Sequence, residues 1–308
     1  MHEEKILEYC VYIGRSENNE FGRVIKVQGR TGNQSWDLLK YYESTNIFFL
    51  KRRKLEIPKE IEELAGCVLA SLRQFAQSFQ VLTAHRYRPE RFLQLTGGEY
   101  ENVGMTGANT YDMLFSLSEI HGKKASLVEE WLSRFGYTYR WKMSGVNRGE
   151  FMLQEIKSGM ESNLVDNGFG ISQSLPLALA LETLKKGEII LVDSPEAFLQ
   201  TKMQSEMGDL LVEGSRNGKV LLETGSEYLT LRIRRRVAEG LLSKDEVSVY
   251  FLEDISEGNT VCVPLEIDDN GEFRNTSKQF RQFFSSDFID IEKMDEIRRK
   301  KYADKNCN

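Results

Sequence analysis

Two short stretches of this sequence carry residue types that could do chemistry. The first is NGFGISQS at 167–174. Gly168 and Gly170 flank one aromatic, Ser172 and Gln173 follow, and an apolar run at helical spacing continues over 171–186. One reading is a loop feeding a helix. Ser172 then sits near the cap and Pro176 in the first turn, where a missing N–H leaves no helical bond unmade. The other reading uses the same geometry: free N–H groups and the helix dipole favour an anion, the glycines let backbone approach it, and Ser172 adds a hydroxyl donor.

The second stretch is EIILVDSPE at 188–196. A continuously apolar run of this length reads as a buried strand. Asp193 closes it, Pro195 ends it and Glu196 follows. An acid at the carboxyl end of such a strand suits a magnesium ligand or a group that orients water. It also suits a plain polar strand terminus. A second apolar run, KVLLET at 219–224, ends in its own polar group of Glu223, Thr224, Ser226 and Glu227. Polar residues gathered at the carboxyl ends of neighbouring parallel strands lie where such sheets bind ligands.

The elements that must position these residues follow from period and punctuation. Helices are expected over 58–79, 126–136, 171–186, 201–218 and 226–240, the last with a Ser226 cap and a Gly240 stop. Strands are expected at 139–143 and 149–157 as a pair, and at 188–193, 219–224, 246–253 and 259–267, with a turn at 268–272. Helix and strand alternate in the C-terminal part, and its strands are apolar on both faces. That predicts an α/β fold with a mainly parallel sheet flanked by helices. A looser helical and mixed region is expected over 1–81, a main lobe over 82–290 and a charged tail over 291–308.

Bulk properties narrow the function. The chain has 308 residues, 40% hydrophobic and 29% charged, with a formal net charge of −6. An acidic balance does not advertise nucleic acid, so any such contact needs a local basic patch. The four cysteines contain no CxxC pair and read as reduced thiols, and the three histidines do not support a histidine-rich metal centre. No apolar run is long enough to span a membrane, and the start, MHEEKILEYC, lacks a signal core. A cytoplasmic protein is expected.

Two basic clusters stand out against the acidic whole. In LRIRRRVAEG at 231–240, Arg232, Arg235 and Arg236 share a helical face and Arg234 lies off it. The cluster is either a solvated face paired with acids or a phosphate-contacting patch. Arg86, Arg88 and Arg91 are interleaved with Tyr87 and Phe92. They could touch nucleotide, nucleic acid or a partner, or brace the core.

The order of these parts resembles one family. A glycine–serine motif and helix, a strand closed by acid-x-Pro-Glu, a helix, a strand closed by ETxSE and then LRxRRRxAEG are similar to the overcoming-lysogenization-defect branch of ABC/SMC-type ATPases. That branch is often found in bacterial antiphage defence loci. LTAHRYRPERF at 82–92, VGMTGANTYDML at 103–114 and QFFSSDF at 282–288 extend the resemblance, which covers roughly residues 82–290. It implies that Gly168, Gly170, Ser172 and Gln173 form the signature motif that contacts the γ-phosphate of ATP held on an opposite subunit. It also implies that Asp193 is the Walker B acid that helps to hold Mg2+.

The departures from the family pattern cluster at the same site. No GxxxxGK[ST] loop is present. Its nearest stand-in, VIKVQGRTGNQSWDLL at 24–39, has Asn33 or Gln34 where the lysine would be and reads either as a decayed phosphate loop or as a plain turn. Ser194 stands where the water-polarising glutamate is expected, with Glu196 two places on as a stand-in. The histidine-bearing segment reads AFLQT, and Gly225 replaces the switch histidine in ETGSE. The resemblance then implies a degenerate ATPase subunit. It would supply the signature side of a composite ATP and Mg2+ site, regulating or scaffolding a Walker A-containing partner in a homo- or hetero-oligomer. Two alternatives stay open: a scaffold that binds protein or nucleic acid without nucleotide, and an active ATPase working through Asp193 and Glu196.

Overall fold

The structure, a computed structural model, describes the backbone of five strands between residues 7 and 52, and residues 59–255 and 259–284. The chain divides into two units, Met1–Gln80 and Val81–Asn308. The expected tail lies outside the described residues.

In the first unit, β1 (Leu7–Gly14), β2 (Arg23–Thr31) and β3 (Gln34–Asp37) form an antiparallel sheet. The strands β4 (Tyr42–Asn46) and β5 (Phe49–Arg52) form a second antiparallel pair. The helix α1 (Lys59–Gln77) follows. These strands decide between the two readings of 24–39 in favour of the turn. That stretch is a hairpin in which Thr31 pairs with Gln34, and Gln34 opens a strand where a phosphate loop would begin a helix. Two connecting residues suffice for an antiparallel return, whereas a strand–loop–helix unit needs a longer crossover.

The second unit holds the candidate site. After β6 (Phe79–Leu82) and the short β7 (Leu93–Gln94), the chain forms α2 (Thr110–Phe115) and α3 (Ser126–Arg134). The long hairpin of β8 (Tyr137–Gly145) and β9 (Arg148–Glu155) realises the expected strand pair. Asn147 turns it at φ 54°, a left-handed conformation that asparagine tolerates. A short β10 (Glu161–Asn163) pairs with β9.

Then come α4 (Phe169–Thr183), β11 (Ile189–Asp193), α5 (Thr201–Gly214), β12 (Lys219–Glu223) and α6 (Glu227–Ala238). The strands β11 and β12 run parallel in register, Ile189 against Lys219 through Asp193 against Glu223. With β6 they make a three-stranded sheet in the order β12-β11-β6. The chain is thus α/β, with a parallel pair flanked by helices. Strands β13 (Val249–Ile255) and β14 (Asn259–Leu265) instead close on each other as an antiparallel hairpin. The three residues between them leave no room for the helix a parallel return requires. The helix α7 (Lys278–Phe284) packs Phe280 and Phe283 on Phe251 of this hairpin.

Helix α4 is the axis of the core. Every residue from Ile171 to Leu181 is buried, which a helix achieves only when neighbours cover it on all sides. Trp131 and Leu132 of α3, Met207 and Leu210 of α5, and Ile190 and Val192 of β11 share that core. The close approach of α5 depends on Gly214, where a Cβ would lie 2.7 Å from Leu181. Ser174, buried in the same helix, accepts the Trp131 indole N–H at 2.7 Å and donates back to the Gly170 carbonyl at 2.7 Å. A buried indole and a buried hydroxyl thereby satisfy each other.

Candidate functional site

The helix α4 starts two residues earlier than its apolar period predicts, with Gly168 as its cap. That moves Ser172 from the cap into the first turn and Pro176 into the second. Ser172 is buried, and its hydroxyl donates to the Phe169 carbonyl at 2.9 Å. The hydroxyl that the sequence offers to an anion is therefore turned back onto its own helix. Pro176 has no N–H for the Ser172 carbonyl, and that oxygen receives a long 3.5 Å contact from the Tyr111 hydroxyl instead. Burial pushes the Tyr111 phenol far above its ordinary range, so it is a donor at any working pH.

The two glycines of this stretch have different reasons. At Gly168 a Cβ would meet nothing within 4 Å. At Gly170 it would lie 2.7 Å from the Phe198 carbonyl oxygen and 3.2 Å from Leu199. Gly170 is thus required by the close passage of the loop 194–199. That loop carries two non-glycine residues in the left-handed region, Ser194 at φ 45° and Phe198 at φ 65°. Such strain persists only where surrounding bonds hold it. Here the Ser194 N–H donates to the Glu223 carbonyl, and Ala197 and Leu199 donate to the carbonyls of Ser194 and Glu196. Phe198 places its ring edge-on to Phe169 at 4.8 Å, and both rings are exposed.

Asp193 closes β11 as expected. Its Oδ1 accepts the Ser194 hydroxyl at 2.8 Å and its Oδ2 the Ala84 N–H at 3.3 Å. The Ser194 hydroxyl, then a hydrogen bond shared with Glu223, hold the Asp193 carboxyl below the usual range. The same shared bond pushes the Glu223 carboxyl up. Two carboxylates at the ends of adjacent parallel strands cannot both ionise freely. Glu196 is held elsewhere: its Oε1 accepts the Gly225 N–H at 2.9 Å, and its Oε2 is buried with no partner. A carboxylate tied to the backbone at position 225 is poorly placed to take a proton from water.

Arg86 lies beneath this group of acids rather than on a surface. It is 6% exposed, which favours bracing the core over contact with nucleic acid or a partner. Its Nη1 donates to the Gln173 carbonyl at 3.3 Å, and its Nη2 to the carbonyls of Asp193 at 3.0 Å and Ser194 at 3.2 Å. Gln173 in turn donates its amide to the Tyr87 carbonyl at 3.3 Å. Burial lowers the Arg86 pKa to about 10 against the opposing pull of Asp193 and Glu196, so it stays charged at neutral pH.

The arginines of α6 are engaged by acids. Arg232 and Arg236 of α6 both reach Asp209 of α5, Arg236 at 2.6 Å. Arg235 and Arg236 pair with Glu239, and Arg234 with Glu272. Arg134 of α3 joins the same cluster through Glu206 at 3.0 Å and Asp209 at 3.7 Å. Of the two readings of this arginine run, the geometry favours the paired one: it braces α3, α5 and α6. Among the other cluster, Arg91 forms a two-pronged bond to Asp166, and Arg88 lies 5.8 Å over the Phe169 ring.

Sequence reasoning missed Asp112. Its carboxylate accepts the Gly97 N–H at 2.8 Å, the Tyr100 hydroxyl at 3.0 Å and the Thr96 hydroxyl, pinning the loop 96–100. The stretch VGMTGANTYDML contained it, but the partners lie in a segment without a recognisable pattern.

No family model matches the chain, and no curated protein matches it. Among solved structures it is similar to SMC ATPase heads. One, described for ATP-driven dimerization and DNA-stimulated activation of SMC ATPases, is 13% identical with a TM-score of 0.37, over 61% of this chain and 97% of that one. The SMC head domain from Thermotoga maritima is 9% identical with a TM-score of 0.37, over 84% and 74%. An SMC head bound to the C-winged helix domain of ScpA is 13% identical with a TM-score of 0.39, over 79% and 68%. Likenesses this weak leave the chemistry to the residues themselves.

Among the described residues no group of three or more His, Cys, Asp or Glu could hold a metal ion. Both Asp193 oxygens already accept hydrogen bonds, and the stretch nearest to a phosphate loop is a hairpin. No described helix is long and apolar enough to cross a membrane.

Proposed function

We propose that this chain is a degenerate ABC/SMC-type ATPase-like subunit that presents the signature side of a composite ATP site to a partner ATPase. The observation that carries the reading is the juxtaposition made by Arg86. One guanidinium ties the glycine-flanked start of α4 to the acid-bearing end of β11. The catalytic positions beside them hold Ser194, bonded to Asp193, and Gly225, bonded through its N–H to Glu196.

In this reading the chain's own residues position and exclude rather than react. The open space at Gly168, at the start of α4, would face a phosphate presented by the partner subunit. Ser172 and Gln173 act inward, holding that turn against Tyr87 and the rest of the core. Asp193 would offer one carboxylate to a Mg2+ whose other ligands come from the partner and its nucleotide. The partner would be an ATPase with an intact phosphate loop, and a prokaryotic defence or DNA-processing setting follows from the family resemblance alone.

The inward turn of Ser172 and Gln173 also favours a second reading, a scaffold that binds a partner with no nucleotide at all. Association with a Walker A-containing ATPase from the same locus, measured with and without ATP, separates the two. ATP-dependent association supports the composite site. Association indifferent to ATP leaves the scaffold. Robust ATP turnover by the purified chain alone, lost in Asp193→Ala, overturns both.

A further inference from the structure

We infer that the open edge of β12 pairs antiparallel with the β12 edge of a second copy of this chain, joining two sheets into one across a two-fold axis. The contact needs no nucleotide and goes beyond the composite-site reading.

The sheet that carries the candidate site ends at β12. Its order is β12-β11-β6, and no described strand lies on the other side of β12. An edge strand exposes unpaired main-chain groups that recruit another strand, unless charge, proline or a bulge blunts it. Which groups of β12 are free follows from its bonds to β11. The Lys219 N–H donates to the Glu188 carbonyl at 2.9 Å, and the Glu223 carbonyl accepts the Ser194 N–H at 3.0 Å. Both ends of the strand therefore turn their main-chain groups towards β11. The register is unbroken between them and the direction alternates along a strand, so Leu221 also faces β11 while Val220 and Leu222 face outwards. Among the described residues nothing accepts the Val220 or Leu222 N–H. The middle of the strand has no proline, glycine or charge to blunt it, and Leu221 is 55% exposed. Lys219 and Glu223 share its face and are exposed too.

The order of charges selects a second copy as the occupant. KVLLE has a cation at one end, an acid at the other and a leucine midway. Laid antiparallel about Leu221, each Lys219 stands opposite the partner's Glu223, and Leu221 opposite the partner's Leu221. Opposite charges and apolar side chains are both favourable as directly facing pairs. In this register Val220 lies opposite the partner's Leu222, so the outward groups of the two strands exchange hydrogen bonds. The Lys–Glu and Leu–Leu pairs then fall at the non-hydrogen-bonded positions, where side chains approach most closely. The backbone phase and the charge order are separate observations, and both call for the same register. A slip of one residue would set outward groups against inward ones. The arrangement is isologous and closes as a dimer. A carboxylate accepts through both oxygens, so the bond that Glu223 shares with Asp193 of its own chain is no obstacle.

The test is sedimentation equilibrium of the purified chain, without nucleotide or partner ATPase, so that its failure and the failure of the composite-site reading are separate events. Concentrations run to about 100 μM, because a contact of this size belongs to the weak class. Wild type is expected to show a monomer–dimer equilibrium. Leu221→Lys sets two cations against each other at the axis and should weaken the dimer by about tenfold or more, with the circular dichroism spectrum unchanged. Lys219→Glu and Glu223→Lys each place like charges opposite one another, so each alone should be monomeric. Mixed, they restore opposite charges at both ends and should form a dimer. Should Leu221→Lys fail to fold, this mixture decides alone. The inference is overturned if wild type is monomeric throughout, which leaves the edge to a strand of another protein or to none. It is overturned equally if the dimer survives Leu221→Lys at full strength, or if the mixture stays monomeric.

Discussion

The position that Gly170 leaves empty is occupied by the carbonyl oxygen of Phe198, 2.7 Å from where a Cβ would stand. A backbone oxygen cannot swing away as a side chain can. Gly170→Ala should therefore destabilise the fold by about 1–3 kcal/mol, the range for overpacked sites. Thermal or denaturant unfolding of the variant checks this. A stability equal to wild type would show that the loop 194–199 yields freely.

The same geometry makes Gly168 the better probe of phosphate contact. Its Cβ position is open, and aspartate is a favoured cap residue. Gly168→Asp should change stability by only about a few tenths of a kcal/mol. On the composite-site reading it nonetheless abolishes ATP-dependent association, because a carboxylate then faces the incoming phosphate. Titration of variant and wild type against the partner ATPase, with folding confirmed, decides the matter; equal ATP-dependent binding by both removes the phosphate contact.

Asp209 gathers Arg232, Arg236 and, more distantly, Arg134, so Asp209→Asn leaves three cations without their shared anion. A loss of about 2 kcal/mol is expected, below the ~3–5 for breaking fully buried pairs. Burial pushes the Asp209 carboxyl up, but the bonds from Arg236 and Arg232 outweigh it and hold the carboxyl below its ordinary range. Stability from a depressed carboxylate is present above the unfolded value of about 3.9 and fades as pH falls through the lower folded value. The gap in melting temperature between wild type and Asp209→Asn should stay constant near neutral pH and close below about pH 4.

The arginines of α6 should divide by partner rather than by position on the helix. Arg235 pairs with Glu239 one turn away at the surface, and Arg235→Gln should cost about 0.5 kcal/mol or less. Arg232→Gln removes a charged bond across two helices and should cost about 1.5–3 kcal/mol. If DNA binding is measurable at all, neither change should alter its salt slope. A slope that falls by about one unit per arginine would restore the phosphate-contact reading.

On the proposed reading, a glutamate placed at position 194 should not bring about hydrolysis. Ser194→Glu removes the hydroxyl bond to Asp193 and sets a third carboxylate beside Asp193 and Glu223, and should cost about 1–2 kcal/mol. Phosphate release with Mg2+ should remain at background for the chain alone, because the nucleotide still has no cradle. Turnover above background would mean that a phosphate-binding loop exists elsewhere in the chain.

The parts legible in the sequence are those whose chemistry is local. Ser226 caps α6 by accepting the Leu229 N–H at 3.1 Å, and Gly240 stands just past the Glu239 cap in a left-handed turn, both written within one helix length. The strands β11 and β12 announced themselves as short continuous apolar runs closed by polar residues. Arg86 was legible as a residue but not as a role, since its acceptors are main-chain carbonyls that leave no letter in the sequence. The partner of Arg232 and Arg236 was hidden for another reason: Asp209 lies on a different helix, and only packing brings it there. The start of α4 was misplaced because Gly168 caps with its backbone and offers no side chain to recognise. The hairpin of β2 and β3 was open between two readings because a glycine turn and a decayed phosphate loop look alike until strand pairing decides.

The all-round burial of α4 has a consequence for how such a chain changes over generations. From Ile171 to Leu181 each side chain is enclosed, Gly170 is pressed by a carbonyl, and Ser174 holds an indole. Substitution at these places is penalised by packing whether or not a nucleotide ever arrives. On the proposed reading, the letters of a phosphate-reading motif would be kept by packing alone, while the strained loop at 194 and the turn at 225 would be free to change.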